Sequence, residues 1–215
     1  ITTDFTTAVS VVADPKLVEK CAEYINPGNS YSFIEMGIET GSPRLIELIM
    51  PGKVRPFKSS EYPDIVEQAV GLLNDNRWIV CGTMIVNFPG EREEDVLRSL
   101  ELVERLKPYK TLIWTLPFIP MGGLRRSGWT IVEKVLEDPL RRELVIKGLH
   151  KSFNTILSLQ KLPTFNMRSI LDKLVWEIVG RLAMGYFIKR VAANISKSPI
   201  KKSPMIVRKS SAQIG

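Results

Sequence analysis

Ile34-Glu35-Met36-Gly37-Ile38-Glu39-Thr40-Gly41-Ser42-Pro43-Arg44-Leu45 passes from a β-rich run through a turn and straight into a helix. The run from Ser32 to Ile38 is mostly apolar, and Glu39 closes it. Thr40-Gly41 is turn chemistry, and Ser42-Pro43 reads as an N-cap followed by proline in the first helical turn, where its missing N–H costs nothing. A strand that hands over directly to a helix is half of a parallel βα unit.

The same order recurs on either side. Thr7-Ala8-Val9-Ser10-Val11-Val12 reads as a first strand, ending at Asp14-Pro15, a second cap plus proline. A helix through Leu17, Val18, Cys21 and Tyr24 is expected after it. Downstream, Ile65, Val66, Ala69, Leu72 and Leu73 recur at helical spacing. Trp78 to Val86 reads as the third strand, and Pro89-Gly90 breaks it. Glu91, Glu93, Glu94 and Asp95 then open a helix with the charge its N-terminus favours, and its expected buried face is Val96, Leu97, Leu100, Val103 and Leu106. Thr111 to Leu116 is the fourth strand. The strands lack clean alternation, as expected when both faces are covered. The pattern predicts an α/β fold with four adjacent parallel strands. Four βα units are too few to close a barrel but suffice for part of one, and an open doubly wound sheet fits equally well.

Beyond Met121 the character changes. Ile131 to Leu159 reads as mostly helical, and a second helix is expected from about Met167 to Val191, with Ile170, Leu171, Leu174, Val175, Ile178, Leu182 and Phe187 near one face. The predicted division is residues 1–125, a helical extension over 126–195, and a Ser-, Lys- and Pro-rich tail over 196–215 expected to be poorly ordered. Of the net charge of +7, the segment Arg181–Gly215 carries +8 without a single acid, so residues 1–180 sum to −1. The basic character belongs to the tail.

Among 215 residues there are two cysteines, Cys21 and Cys81, and one histidine, His150. Such sparse thiols give neither a disulfide framework nor a CxxC metal site, and both are expected as buried thiols of a cytoplasmic protein. A site built from several histidines is excluded by count, and His150 is read as a surface residue. No uninterrupted apolar stretch is long enough to span a bilayer. The chain begins Ile1-Thr2-Thr3-Asp4, without an initiator Met, and reads as a piece of something longer.

Three segments together carry a resemblance. They are the Gly37–Ser42 stretch in its strand-turn-helix setting, Gly82-Thr83-Met84-Ile85-Val86-Asn87-Phe88-Pro89-Gly90-Glu91 about forty residues on, and Leu116-Pro117-Phe118-Ile119-Pro120-Met121-Gly122-Gly123-Leu124 after the fourth strand. Over roughly residues 7–125 the chain resembles the second half of a radical S-adenosylmethionine (SAM) domain, closest to the group that often carries a cobalamin-binding domain. The resemblance implies a partial (β/α)6 barrel of TIM type, with these strands as its third to sixth. It also implies a [4Fe–4S] cluster held by a CxxxCxxC motif. That motif is absent from this sequence, so either the ligands lie outside the chain, in a missing N-terminal part of the same protein, as the missing initiator Met favours, or the protein is catalytically dead. The implied activity is reductive cleavage of SAM to start radical chemistry on an unknown substrate, with cobalamin-dependent methylation as one form of it.

The resemblance also implies a SAM site. Glu39 would accept from the amino group or ribose, with Thr40 and Ser42 beside it. Thr83 would meet the ribose, Ile85 the adenine, and the backbone around Phe118 the same adenine. Relatives often carry a basic residue at the position of Pro51, and Lys53 stands ready to replace it. Other departures are Asn87 in place of a usual glycine and Gly122-Gly123 in place of Gly-Thr. The methylthiotransferase branch usually carries Gln-Ser-Gly where this chain has Glu39-Thr40-Gly41, together with a C-terminal RNA-binding β-barrel, and is set aside on that ground. A competing reading is a non-catalytic binding module. In it the basic helix and tail, including Arg168, Lys173, Arg181, Lys189 and Arg190, contact nucleic acid or place the protein on the periphery of an anionic membrane.

Overall fold

Strand and helix alternate throughout a computed structural model that describes residues 2–119, 135, 137–159 and the isolated positions 178, 181, 182, 185 and 186. The strands are β1 (Thr2–Thr6), β2 (Ser32–Glu39), β3 (Trp78–Val86) and β4 (Thr111–Pro117). They form one sheet in sequential order, and every neighbouring pair is parallel. The helices are α1 (Ala8–Ala13), α2 (Pro15–Ile25), α3 (Pro43–Ile49), α4 (Tyr62–Asp75), α5 (Glu93–Arg105) and α6 (Pro139–Leu159). Two 3₁₀ turns, Pro51–Lys53 and Ser59–Glu61, lie between α3 and α4.

The second, third and fourth strands fall where the sequence puts them. The first does not. Thr7–Val12, expected as a strand, is occupied by α1, and the strand precedes it. The reason is local and tertiary together. Thr7 Oγ1 accepts the Ser10 N–H at 3.1 Å, and Ser10 Oγ answers the Thr7 N–H at 3.4 Å, a capping box. Ala8, Val9 and Val11 are then buried in the core beside α4. Packing overrides the strand preference of three valines.

Met36, Ile38, Val80, Met84, Val86 and Ile113 point to the helical side and pack with Ile65, Val66, Ala69 and Val70 of α4 and Val96, Leu100 and Val103 of α5. Leu97 is exposed instead, and Leu102 takes a buried place. On the opposite face Ile79 and Leu112 are buried, as the expectation of two covered faces requires, whereas toward the strands' C-terminal ends the face is exposed among the described residues. On it Phe5 lies beside Glu35, Glu35 beside Cys81, Thr83 beside Trp114, and Ile85 beside Leu116. Phe5 is 70% exposed, Trp114 43% and Leu116 50%. The C-terminal ends of the strands therefore carry an exposed apolar patch among the described residues.

The outer edge of β4 is closed by α6. Ser152 Oγ accepts the Ile113 N–H at 2.6 Å and donates to the Ile113 carbonyl at 2.8 Å. One turn on, Thr155 Oγ1 donates to the Thr111 carbonyl at 2.9 Å. Gly148 lets the helix come this close, since a Cβ there would lie 2.9 Å from Thr115 Oγ1. Ser152 and Thr155 thus replace the next strand's hydrogen bonds. The described part of the expected extension packs on β4 and α5. The helix expected from Met167 to Val191 lies almost wholly outside the described residues, and Gly122-Gly123 and the tail from Ser196 lie outside them altogether. Among the described residues no helix is long and apolar enough to cross a membrane.

Ser152→Ala leaves a buried N–H and a buried carbonyl without their partner. It should cost about 1–3 kcal/mol in thermal or urea unfolding, and a change within about 0.5 kcal/mol would place the edge's stability elsewhere.

Candidate cofactor-binding rim

The turn after β2 is fixed from below by α5. Gly41 lies directly on that helix, where a Cβ would sit 2.5 Å from the Arg98 carbonyl oxygen and 2.8 Å from Ser99 Cα. The Gly41 N–H donates to Ser99 Oγ at 2.9 Å, and Thr40 Oγ1 lies 3.0 Å from the same hydroxyl. Ser42 Oγ caps α3 by accepting the Leu45 N–H at 3.2 Å and donates to Asp95 Oδ1 at 2.5 Å. Arg44 meets both oxygens of Asp95 and donates to the Gly90 carbonyl at 2.8 Å. Asp95 Oδ2 also accepts the Arg92 N–H at 2.8 Å. Burial works to raise the Asp95 carboxyl, but the hydrogen bonds from Arg44 and Ser42 outweigh it and hold the group below the usual aspartate range.

Thr40 and Ser42, expected beside a cofactor, are 1% and 2% exposed, and their hydroxyls are spent on this frame. Glu39 is different. It follows a register shift in β2 and has φ of 66°, a left-handed conformation uncommon outside glycine. Its carboxylate folds back over Gly37, where a Cβ would lie 2.5 Å from Glu39 Oε1 and 3.0 Å from Lys53 Nζ. Lys53, at the end of the first 3₁₀ turn, donates to Glu39 Oε1 at 2.8 Å. The pair is largely withdrawn from solvent, with side chains 18% and 15% exposed. Behind it the buried Tyr62 hydroxyl donates to the Ile38 carbonyl at 2.9 Å. Burial and the Glu39 charge push that phenol above its usual range.

Gly37 pairs with Thr83 across the sheet, so the ion pair stands next to the β3 residues of the open face. Thr83 and Ile85 are both half-buried there. At the end of β3, Asn87 has φ of 65°, and its N–H donates to Glu91 Oε2 at 2.9 Å. Arg141 of α6 donates to the same oxygen at 2.6 Å. Burial raises the Glu91 carboxyl more than Arg141 lowers it. Phe118 is drawn in by its N–H, which donates to the Val86 carbonyl at 2.8 Å, and by its ring, 5.6 Å from that of Phe88. The structure therefore gathers Glu39, Lys53, Thr83, Ile85 and Phe118 at the strand C-terminal rim and withdraws Thr40 and Ser42.

Sequence reasoning missed Gly37, Asp95, and the Glu91–Arg141 pair. Only Gly37 left a readable signal, a glycine in an otherwise bulky strand two residues before the candidate acid.

No metal site accompanies the rim. Among the described residues no three His, Cys, Asp or Glu side chains cluster as ligands. The chain's two cysteines cannot supply three thiolates. Cys21 is exposed on α2, contrary to expectation, and Cys81 is partly buried on β3. Burial, with Glu35 beside it, pushes the Cys81 thiol up to about 11.

No family model matches the chain. A curated relative, the tRNA-2-methylthio-N(6)-dimethylallyladenosine synthase of Wolinella succinogenes, is 29% identical over 150 residues, covering 68% of this chain and 31% of that protein. The likeness supports a radical SAM relationship. The chain thus spans about a third of the length of that relative. The relative is named for a methylthio modification, whereas Glu39-Thr40-Gly41 had set this radical SAM-like chain apart from that branch. The motif reading and the comparison agree on the superfamily and part at the branch.

Asp95→Asn should destabilise the protein at pH 7 by roughly 1.5–3 kcal/mol, the worth of hydrogen bonds to a charged group. Because the folded carboxyl titrates below its unfolded value of about 3.9, its contribution is present above that value and lost as pH falls through the folded one. The gap between variant and parent in denaturant unfolding should therefore narrow in acid, and a gap independent of pH would contradict this role for Asp95.

Proposed function

We propose that this chain is part of a radical SAM enzyme and that its C-terminal rim binds SAM on the open face of the sheet. The observation that carries the reading is the Glu39–Lys53 ion pair seated over Gly37. An α-amino acid presents an ammonium and a carboxylate side by side. An adjacent carboxylate and ammonium, shielded from water but open on one side, are its electrostatic complement. Gly37 leaves the room that the pair itself occupies, since a Cβ there would meet Glu39 Oε1 and Lys53 Nζ, and so lets these residues stand together for the methionyl end of SAM. Glu39 would take the amino group and Lys53 the carboxylate. Thr83 would offer a hydroxyl to the ribose, while Ile85 and Phe118 would supply apolar contact for the adenine.

Parallel strands in sequential order, with helices on one side, support reading the sheet as four strands of a (β/α)6 barrel whose lumen is the open face. A barrel of this kind gathers its chemistry at the C-terminal ends of its strands, where Glu39 and Phe118 stand. Bound SAM, cleaved reductively at a [4Fe–4S] cluster, would supply the radical chemistry. This chain's cysteines do not fit such a cluster, so its ligands would come from elsewhere. The chain's own contribution is to hold and orient the cofactor against the apolar wall of Trp114 and Leu116. Cobalamin-dependent methylation has no described residue to carry it. The name of the Wolinella relative brings tRNA into view as a substrate class.

Calorimetric titration of the full, cluster-loaded protein with SAM tests the reading. Glu39→Ala and Lys53→Ala should each weaken binding about ten- to a hundred-fold, the equivalent of about 1.5–3 kcal/mol per charged hydrogen bond. Gly37→Ala should weaken it too, by displacing the pair. Parental affinity in all three variants would refute the site while leaving the fold intact.

A further inference from the structure

At the other end of the strands a second concavity has no part in the proposed chemistry. A cleft of about 740 Å³ opens between the segment leading into β4 and the helix α6. Lys107, Lys110, Lys147 and Lys151 line it, against one carboxylate, Glu104. Glu104 is engaged from two sides. Lys107 forms one ion pair with it, and Lys147 approaches at 2.9 Å while also reaching Glu143 at 3.4 Å. Two of the four ammonium groups are thereby balanced. Among the described residues Lys110 and Lys151 form no ion pair; Lys110 instead stands over the Tyr31 ring at 5.9 Å.

Lys151 is the informative one. It is 6% exposed, on a helix whose solvent side could have held it. Its Nζ donates to the Tyr109 carbonyl at 2.5 Å and to Thr155 Oγ1 at 2.8 Å. Thr155 in turn donates to the Thr111 carbonyl, so its hydroxyl is fixed as the acceptor for Lys151. An ammonium has three N–H groups, and both partners here are neutral. Burying a cation without a counter-charge is costly. Burial alone pushes the Lys151 amine down to about 8, so near neutrality most of it is still charged. A buried, unbalanced cation at the wall of an open cleft is an arrangement that an anion would complete.

We propose that this cleft is a phosphate-binding site, with Lys151 at its wall and Lys110, Lys107 and Lys147 around it. Two unbalanced ammonium groups match the double charge of a phosphate group, and lysines serve phosphate as point charges without the planar fork that a carboxylate would favour. The Glu104 pairs hold the flanking lysines in place rather than occupy the site. The group could belong to a free or nucleotide phosphate or to the backbone of RNA, and the chemistry of the cleft is the same for both. The inference does not depend on the SAM reading, because the two sites stand at opposite ends of the strands.

The full chain should be titrated with inorganic pyrophosphate by calorimetry and with a short single-stranded RNA by fluorescence anisotropy, at low and moderate salt. Lys151→Met should reduce affinity about ten-fold or more, and Lys110→Gln several-fold. Pyrophosphate should also protect Lys110 and Lys147, the more accessible amines of the cleft, from reductive methylation, read by mass spectrometry. RNA binding that shares both dependences and is displaced by pyrophosphate assigns the site to a phosphodiester backbone; pyrophosphate binding alone assigns it to a free or nucleotide phosphate. Should Lys151→Met fail to fold, Lys110→Gln at its half-buried position and the methylation protection decide. Binding of neither probe, or binding indifferent to these substitutions, as expected if the basic tail alone attracted anions, would overturn the proposal.

Discussion

Asp95 lies under two connections at once. Its carboxylate accepts from Ser42 and Arg44 of the segment after β2 and from the Arg92 N–H at the start of its own helix, and Arg44 continues to the Gly90 carbonyl after β3. One buried charge thereby ties two adjacent strand-to-helix turns together. It works because its partners are many and charged, so the cost of desolvating the carboxylate is outweighed. Gly41 completes the joint by letting backbone touch backbone. This knot fixes the turn that follows Glu39, while Lys53, Tyr62 and the pairing of Glu39 with Met84 hold the left-handed residue itself.

The sheet is asymmetric in a way that gives the rim its chemistry. One face is filled by α1, α4, α5 and α6, whereas the other carries Phe5, Trp114 and Leu116 in the open. The Glu39–Lys53 pair sits where that apolar face ends. A charged pair bordered by low-dielectric surface interacts with a ligand more strongly than one surrounded by water. The edge of the sheet is handled with equal economy: Ser152 and Thr155 give β4 the hydrogen bonds a further strand would have made.

Three of four strands were legible because their apolar runs end at strong punctuation, Ser42-Pro43, Pro89-Gly90 and Pro117. The first was not, because Ala8-Val9-Ser10-Val11-Val12 has strand composition, and only its capping box and its burial beside α4 make it helical. At the rim, Glu39, Thr83 and Ile85 were named from the family resemblance, and their strand positions were legible from the apolar runs that carry them. Ser42 was legible as the helix cap it is, but the distant partners that withdraw the Thr40 and Ser42 hydroxyls, 53 or more residues away, leave no trace in local sequence. Lys53 could be named but not aimed; its pairing depends on the 3₁₀ turn that swings it back to β2. Lys151 looked like one lysine in a basic helical stretch, and only its burial distinguishes it.

A crystal structure of the full, cluster-loaded protein with S-adenosylhomocysteine, a non-cleavable stand-in for the cofactor, tests the central claim most directly. The account predicts the amino-acid end of the ligand within hydrogen-bond reach of Glu39 and Lys53, with the adenine between Ile85 and Phe118. A ligand bound away from the Glu39–Lys53 pair, with that pair left closed on itself, would contradict it.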